Sequence, residues 1–242
     1  MSNGPPIFAI NVTNFALITY AVPAARIEAH LPRSYDLDVF EGPEGRTAFV
    51  STTCFCNHDF RLAGVGYPRH TFNESTYRTY VTHKGRKGIY FFGRYLGTRR
   101  AWASQRPIAR HTYTAKFEIA TESSGGTYTS YTCHAASDQG ETSFALQAID
   151  QPDESPPFAT GYELTQFLTY RLHGFYTDSL GFQGHMPVGH PRMNPVAGKL
   201  SAARFTLWNE LGVVTDDEVL DPYSVLVIAE VPFTLYAPRF LV

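Results

Sequence analysis

Residues 72–81 read FNESTYRTYV, 82–88 THKGRKG, 88–96 GIYFFGRYL and 110–119 RHTYTAKFEI, with a short polar segment before the last run. Three runs rich in aromatic and β-branched residues thus surround one small helix, the composition expected of strands. Alternate residues of a strand share a face. Glu74, Thr76, Arg78 and Tyr80 then project to one side of the first run. On the third, Arg110, Thr112, Thr114, Lys116 and Glu118 share one face, and His111, Tyr113, Ala115 and Phe117 the other. A carboxylate and a guanidinium on one strand face do not suit an apolar core. They suit the wall of a polar cavity, or solvent.

Outward from this centre, the chain reads as short strands separated by turn signals. Phe15 to Tyr20 is a strand, and Pro23 to His30 a helix opened by its proline and stopped by Leu31-Pro32. Leu37 to Phe40 and Thr47 to Cys56 form a hairpin across GPEG. His58 to Thr71, with Gly64, Gly66 and Pro68, reads as a flexible flap. Thr98 caps a helix over RRAWASQ, which Pro107 ends. Thr127 to His134 and Ser143 to Ile149 make a hairpin around SDQGET, and QPDESPP is a loop. Thr160 and Glu163 form a capping box for a helix to about Leu172, with Leu164, Phe167, Leu168 and Arg171 on one face. Phe175 to Pro195 is loop with one strand at most, and Leu200 to Asn209 fits strand and helix equally. Tyr223 to Ile228 and Pro232 to Tyr236 are the last strands. The pattern argues for a mainly β barrel or sandwich with minor helices, in one domain spanning residues 1–242.

The chain has 43% hydrophobic and 17% charged residues, enough for a large core, and a net charge of −2 that gives no reason to invoke nucleic acid or an anionic membrane. Cys54, Cys56 and Cys133 make no secreted disulfide framework, the N-terminal stretch lacks the pattern of a signal peptide, and no apolar run spans a bilayer. A soluble cytoplasmic protein is expected. Of 20 basic residues only Lys84, Lys87, Lys116 and Lys199 are lysines, so any lysine mechanism can be tested by elimination. No G-x-S-x-G elbow, P-loop or dinucleotide fingerprint occurs, and no cofactor is expected. Cys54, Cys56 and His58 alternate along one strand face, yet lack the usual spacing and a fourth ligand, so no metal site is assigned.

The motif F-x-E-x-x-x-R-T-Y-V, a short turn, G-x-Y-F-F and a small helix resemble the YqjF-like branch of the acetoacetate decarboxylase-like superfamily. FALITYAVPAARIEAHLPRSYDLDVFEGPEGRTAFVS near the start resembles it too, as do FLTYRLHGFYT, GHPRMNP and VPFTLYAPRFL towards the end. Order and spacing agree over nearly the whole chain. The resemblance implies a closed, largely antiparallel β-barrel or cone with a few short helices and an internal ligand cavity. The superfamily's decarboxylases form a Schiff base on one of two adjacent lysines whose pKa is lowered in a dry pocket. Here Thr112-Tyr113 stand where that pair would lie, and Lys116 follows further along the strand.

The resemblance places Glu74 at a pocket-lining acidic position, as general acid or base, and Arg78 at the motif arginine, to bind a substrate carboxylate. The alternative is a structural network joining Glu74 and Arg78 to each other or to Arg94 and Glu118. His111 and Tyr113 flank the lost lysine site, and with Tyr77 and Tyr90 they can build a polar aromatic pocket; the plainer reading is an aromatic core. Lys116 is the remaining Schiff-base candidate, and His190, in GHP, a cavity-facing one. Two functions stay open. One is a cofactor-independent lyase or isomerase (decarboxylation, dehydration or aldol-type chemistry) on a small carbonyl or carboxylate compound, with Glu74, His111, Tyr113 and Lys116 as catalytic candidates and Arg78, Tyr77, Tyr90, Arg94 and His190 binding substrate. The other is a protein that sequesters an aromatic or polyketide-like ligand without chemistry. Buried ionisable pairs are costly to keep without use, which favours the enzyme. A homodimer is compatible with such a barrel.

Overall fold

The two-residue turn at Lys84-Gly85 explains how the central runs pair. Both residues have positive φ, 48° and 76°, as the hairpin turn that matches strand twist requires. It joins strands that pair from His83 opposite Arg86 to Glu74 opposite Leu96. The structure, a computed structural model, describes residues 4–42, 45–67, 69–105, 111–124, 127–149, 157–178 and 180–241. In chain order its elements are β1 (Pro6–Pro23), α1 (Ala24–Glu28), β2 (Asp36–Leu37), β3 (Val39–Gly42), β4 (Gly45–Leu62), β5 (His70–His83), β6 (Arg86–Leu96), α2 (Arg99–Gln105), β7 (Thr112–Thr114), β8 (Lys116–Ser124), β9 (Thr127–Ser137), β10 (Gly140–Ile149), α3 (Gly161–Thr169), β11 (His173–Thr177), β12 (Gln183–Gly189), β13 (Val196–Phe205), α4 (Thr206–Glu210), β14 (Ser224–Tyr236) and β15 (Arg239–Phe240).

The main path of the sheet runs β15-β12-β11-β6-β5-β4-β1-β14-β13-β10-β9-β8, with an additional β12–β14 pairing. That pairing, Val188 to Leu235 and Gly189 to Thr234, closes β14, β1, β4, β5, β6, β11 and β12 into a ring. Pairing within it is antiparallel except at β6–β11. The first half of β14 also pairs with β13, which carries β10, β9 and β8 across the outer face of the central strands. β1, β4, β5 and β6 therefore bury both faces, and the two faces feed different cores. Outside the ring, Ile18, Tyr77, Tyr95, Tyr131, Phe144 and Trp208 share one core. Inside it, Leu17, Phe49, Tyr80, Leu164, Leu168 and Met193 share another, which α3 covers.

Several expectations are corrected. The proposed flap is instead the end of β4, a turn and the start of β5. Phe175 to Pro195 holds two strands, β11 and β12, whose partners are remote in sequence. Leu200 to Asn209 is strand to Phe205 and helix after it. α1 is shorter than the proline signals imply. α3 has the expected cap, Thr160 Oγ1 accepting from the Glu163 amide at 3.2 Å, but stops at Thr169, so Arg171 lies beyond the helix rather than on its face. The Pro107 stop, Arg110 and residues 151–156 lie outside the described residues. Among the described residues no helix is long and apolar enough to cross a membrane.

Candidate active site

All seven ring strands line an internal cavity of about 120 Å³. Its walls are mostly apolar, with Ile10, Val12, Phe15, Ile89, Phe91 and Met193 among them, and its polar groups converge from β4, β5, β6 and the segment around β11 and β12. β5 keeps strict alternation, so Glu74, Thr76 and Arg78 all face inward. Three neighbouring strands do not. β1 slips between Thr13 and Ala16, where Asn14 has φ 52°. β4 slips between Asn57 and Phe60, where Asp59 has φ 56°. β6 slips between the pairs Tyr77–Gly93 and Arg78–Phe91, where Phe92 is the extra residue. Each irregularity is a bulge that inserts one residue and re-aims those after it. Val12 with Phe15, Asn57 with Phe60, and Phe91 with Arg94 consequently all reach the cavity at a spacing of three.

Three guanidiniums line this space, and their compensation differs. Arg94 donates to Glu74 Oε1 through Nε at 2.9 Å and Nη2 at 2.6 Å, and to Gln105 Oε1 on α2. Glu74 Oε2 accepts from Asn57 Nδ2 at 2.9 Å. With Glu74 4% and Arg94 8% exposed, this is a buried ion pair whose carboxylate is saturated with donors. Arg171 donates to Asp38 Oδ2 at 2.8 Å and to the Phe167 carbonyl at 2.9 Å, and stacks on Phe167 with 4.1 Å to the centroid. Arg78, 9% exposed, has no carboxylate partner among the described residues. Its Nη2 donates to the Leu168 carbonyl at 3.3 Å, and its buried Nε has no partner. A buried cation in this condition is costly until an anion meets it.

His190 completes the constellation. Its Nδ1 lies 2.8 Å from the Pro191 carbonyl. A carbonyl only accepts, which assigns the proton to Nδ1 and leaves the lone pair on Nε2 of the neutral ring. Burial lowers its pKa; the Pro191 carbonyl opposes that shift, and the Arg78 charge adds to it. The ring packs against Phe233 at 4.6 Å.

The structure thus brings Glu74, Arg78, Arg94 and His190 together in one cavity and leaves the other candidates elsewhere. Tyr77 is fully buried in the outer core with its hydroxyl 2.6 Å from Thr142 Oγ1. Tyr90 packs in the same core, its hydroxyl 2.9 Å from Thr177 Oγ1. Both occupy the β5 and β6 face opposite the cavity. His111 is exposed, with Nδ1 3.3 Å from the Tyr113 hydroxyl, and Tyr113 packs against Tyr95. Lys116 stands exposed on β8, and Lys84, Lys87 and Lys199 are exposed as well, so no lysine of the chain lines the cavity. Cys54 turns into the outer core, its Sγ 3.0 Å from that of Cys133, rather than toward His58. Asn57, Gln105 and Arg171 are cavity residues that the sequence reading passed over. Period two from Glu74 could not find Asn57 on another strand, and Arg171 read as a helix-face residue.

Comparison with solved structures shows the fold. The enduracididine biosynthesis enzyme MppR, solved with pyruvate, superposes with a TM-score of 0.65 at 12% identity, covering 98% of this chain and 91% of that one. Acetoacetate decarboxylase from Legionella pneumophila gives 0.65 at 13% identity over 100% and 90% of the two chains. An acetoacetate decarboxylase-like enzyme from Sphingomonas wittichii gives 0.58 at 12% identity over 100% and 95%. Comparison with curated proteins gives no match. The family model for DUF2071, described as an uncharacterized conserved protein (COG2071), matches residues 10–239. The chain therefore belongs to the DUF2071 family, and its fold is similar to that of the acetoacetate decarboxylase-like enzymes.

Proposed function

We propose that the protein is a cofactor-independent enzyme that moves a proton next to the carbonyl of a small keto carboxylate, without a Schiff-base lysine. The observation that carries this reading is Arg78: a buried guanidinium, free of any carboxylate among the described residues, lining the cavity. It binds the substrate carboxylate through a charge-assisted pair. His190 Nε2 then takes the proton from the carbon beside the carbonyl, and its neutral state at pH 7 suits it to do so. The electron pair of that C–H bond moves into an enolate whose oxygen is met by Arg94. Glu74 and Gln105 hold Arg94 in place. Glu74, with both oxygens accepting, acts in this scheme as a positioning carboxylate rather than the acid or base.

Decarboxylation is the weaker branch of this chemistry. No lysine supplies an iminium electron sink, and pairing the carboxylate with Arg78 stabilises the ground state from which CO₂ must leave. A fold neighbour is solved with pyruvate, which supports a keto carboxylate as the ligand class. The test is exchange of the proton beside the carbonyl with D₂O, followed by NMR over a panel of keto acids. Exchange above the buffer rate, lost in His190→Gln, is expected. Binding without exchange across the panel would instead favour a sequestering protein, for which the apolar walls are the supporting observation.

A further inference from the structure

Next to the inner cavity lies a second, larger one of about 590 Å³. The two share Phe60, Arg94, Gln105, Met186 and Leu235 as lining, so the Arg94–Gln105 hydrogen bond stands at their common boundary. The outer lobe is walled chiefly by Phe8, Phe60, Leu62, Phe72 and Ala101. Phe60 sits centrally among these, 4.8 Å from Phe8 and 5.6 Å from Phe72 by ring centroid. Leu62 stands open at the rim, 42% exposed. Arg61 and Arg100 line the same lobe; Arg61 is paired with Asp59, and the charge of Arg100 favours entry of anions.

We infer that the substrate is an amphipathic carboxylate, its acid head on Arg78 in the inner lobe and an apolar alkyl or aryl tail passing Arg94 and Gln105 into the outer one. The inference rests on the reading of Arg78 as the carboxylate anchor. The inner space accepts a head group of a few heavy atoms, and it holds Arg78 and His190. Beyond the boundary Phe8, Phe60, Leu62, Phe72 and Ala101 give an apolar tail surface to cover, with Arg61, His70, Thr71, Thr98 and Arg100 beside them, so a tail lying on the apolar side gains from shedding water.

Calorimetric titration with a homologous series of 2-oxo carboxylates, from pyruvate to 2-oxodecanoate, tests this. The dissociation constant is expected to fall by about three- to fourfold for each added methylene until the lobe is filled. Leu62→Asp at the open rim and Ala101→Phe in the wall are expected to weaken only the long members and leave pyruvate unchanged. Arg78→Met should weaken every member by a similar factor. A series that binds with constant affinity, or long-chain binding indifferent to both outer-lobe variants, overturns the inference while leaving Arg78 as anchor. Absence of binding for every member, pyruvate included, removes the anchor and the inference together.

Discussion

At the residue scale, the three cavity arginines are chemically alike and differ in what removing them leaves behind. Arg94→Met removes the ion-pair partner of the buried Glu74 carboxylate, so a loss of about 3–5 kcal/mol in urea unfolding is expected. Arg78→Met strands no charge, because no carboxylate faces it among the described residues, and the Leu168 carbonyl keeps its hydrogen bond from the Tyr80 hydroxyl. Its stability is expected to be unchanged or slightly higher, while affinity for a keto carboxylate falls at least about thirtyfold. Equal destabilisation by the two variants would contradict the assignment of Arg78 as an uncompensated cation. His190 makes a separate prediction. A base must be unprotonated, and burial holds this ring below the ordinary 6.5. The rate of proton exchange is therefore expected to stay level through neutral pH and to fall only below 6.5, and an acid limb retained in His190→Gln would assign the base elsewhere.

At the element scale, the β11–β12 hairpin carries a paired histidine contact. His173 Nδ1 lies 2.7 Å from His185 Nε2, and His185 is 2% exposed. Burial, with His173, Arg86, Arg239 and His83 nearby, lowers the His185 pKa to about 4, and burial with Arg86 lowers that of His173. A ring that resists protonation when folded and accepts it when unfolded makes stability rise with pH. The hairpin's contribution is thus complete above 6.5 and is lost as pH falls from there toward about 4. For His185 alone this amounts to about 3 kcal/mol. Urea midpoints measured across that window should decline in the native protein and decline less steeply in His185→Gln, where His173 and His190 still contribute. Neither strand was legible in advance: Gly174, Gly184 and Pro187 look like loop residues, and the partners that make them strands come from β6, β14 and β15.

At the scale of the whole molecule, the cavity exists because the sheet closes, and closure depends on a few contacts. β6 meets β11 through Gly174–Ile89 and Phe175–Tyr90 alone, beside Gly88. A Cβ at Gly88 would stand 2.4 Å from the His173 carbonyl oxygen, a backbone atom that cannot swing aside. Gly88→Ala is expected to cost about 1–3 kcal/mol. Amide exchange should quicken in residues 173–177 and 183–189 and ligand binding should be lost, while the β8–β9–β10–β13 layer keeps its protection. Uniform loss of protection in both layers would show that the two cores do not open separately.

The sequence by itself determined which residues could share a face of β5, because side chains alternate along any strand. Glu74 and Arg78 were legible for that reason as neighbours on one face, cavity wall or solvent, and the poverty in lysine was legible from composition. Only the tertiary structure decided the rest. Bulges in β1, β4 and β6 depend on pairing across strands, so the spacing of three that turns Phe60 and Arg94 inward has no signature in local pattern. The outer layer claimed Tyr77 and Tyr90, since a strand buried on both faces offers no polarity contrast to say which face holds the ligand. The state of each arginine was settled by partners distant along the chain: Asp38 for Arg171, Glu74 for Arg94 and, among the described residues, no carboxylate for Arg78. Charge compensation acts over ångströms in space, and sequence separation carries no record of it.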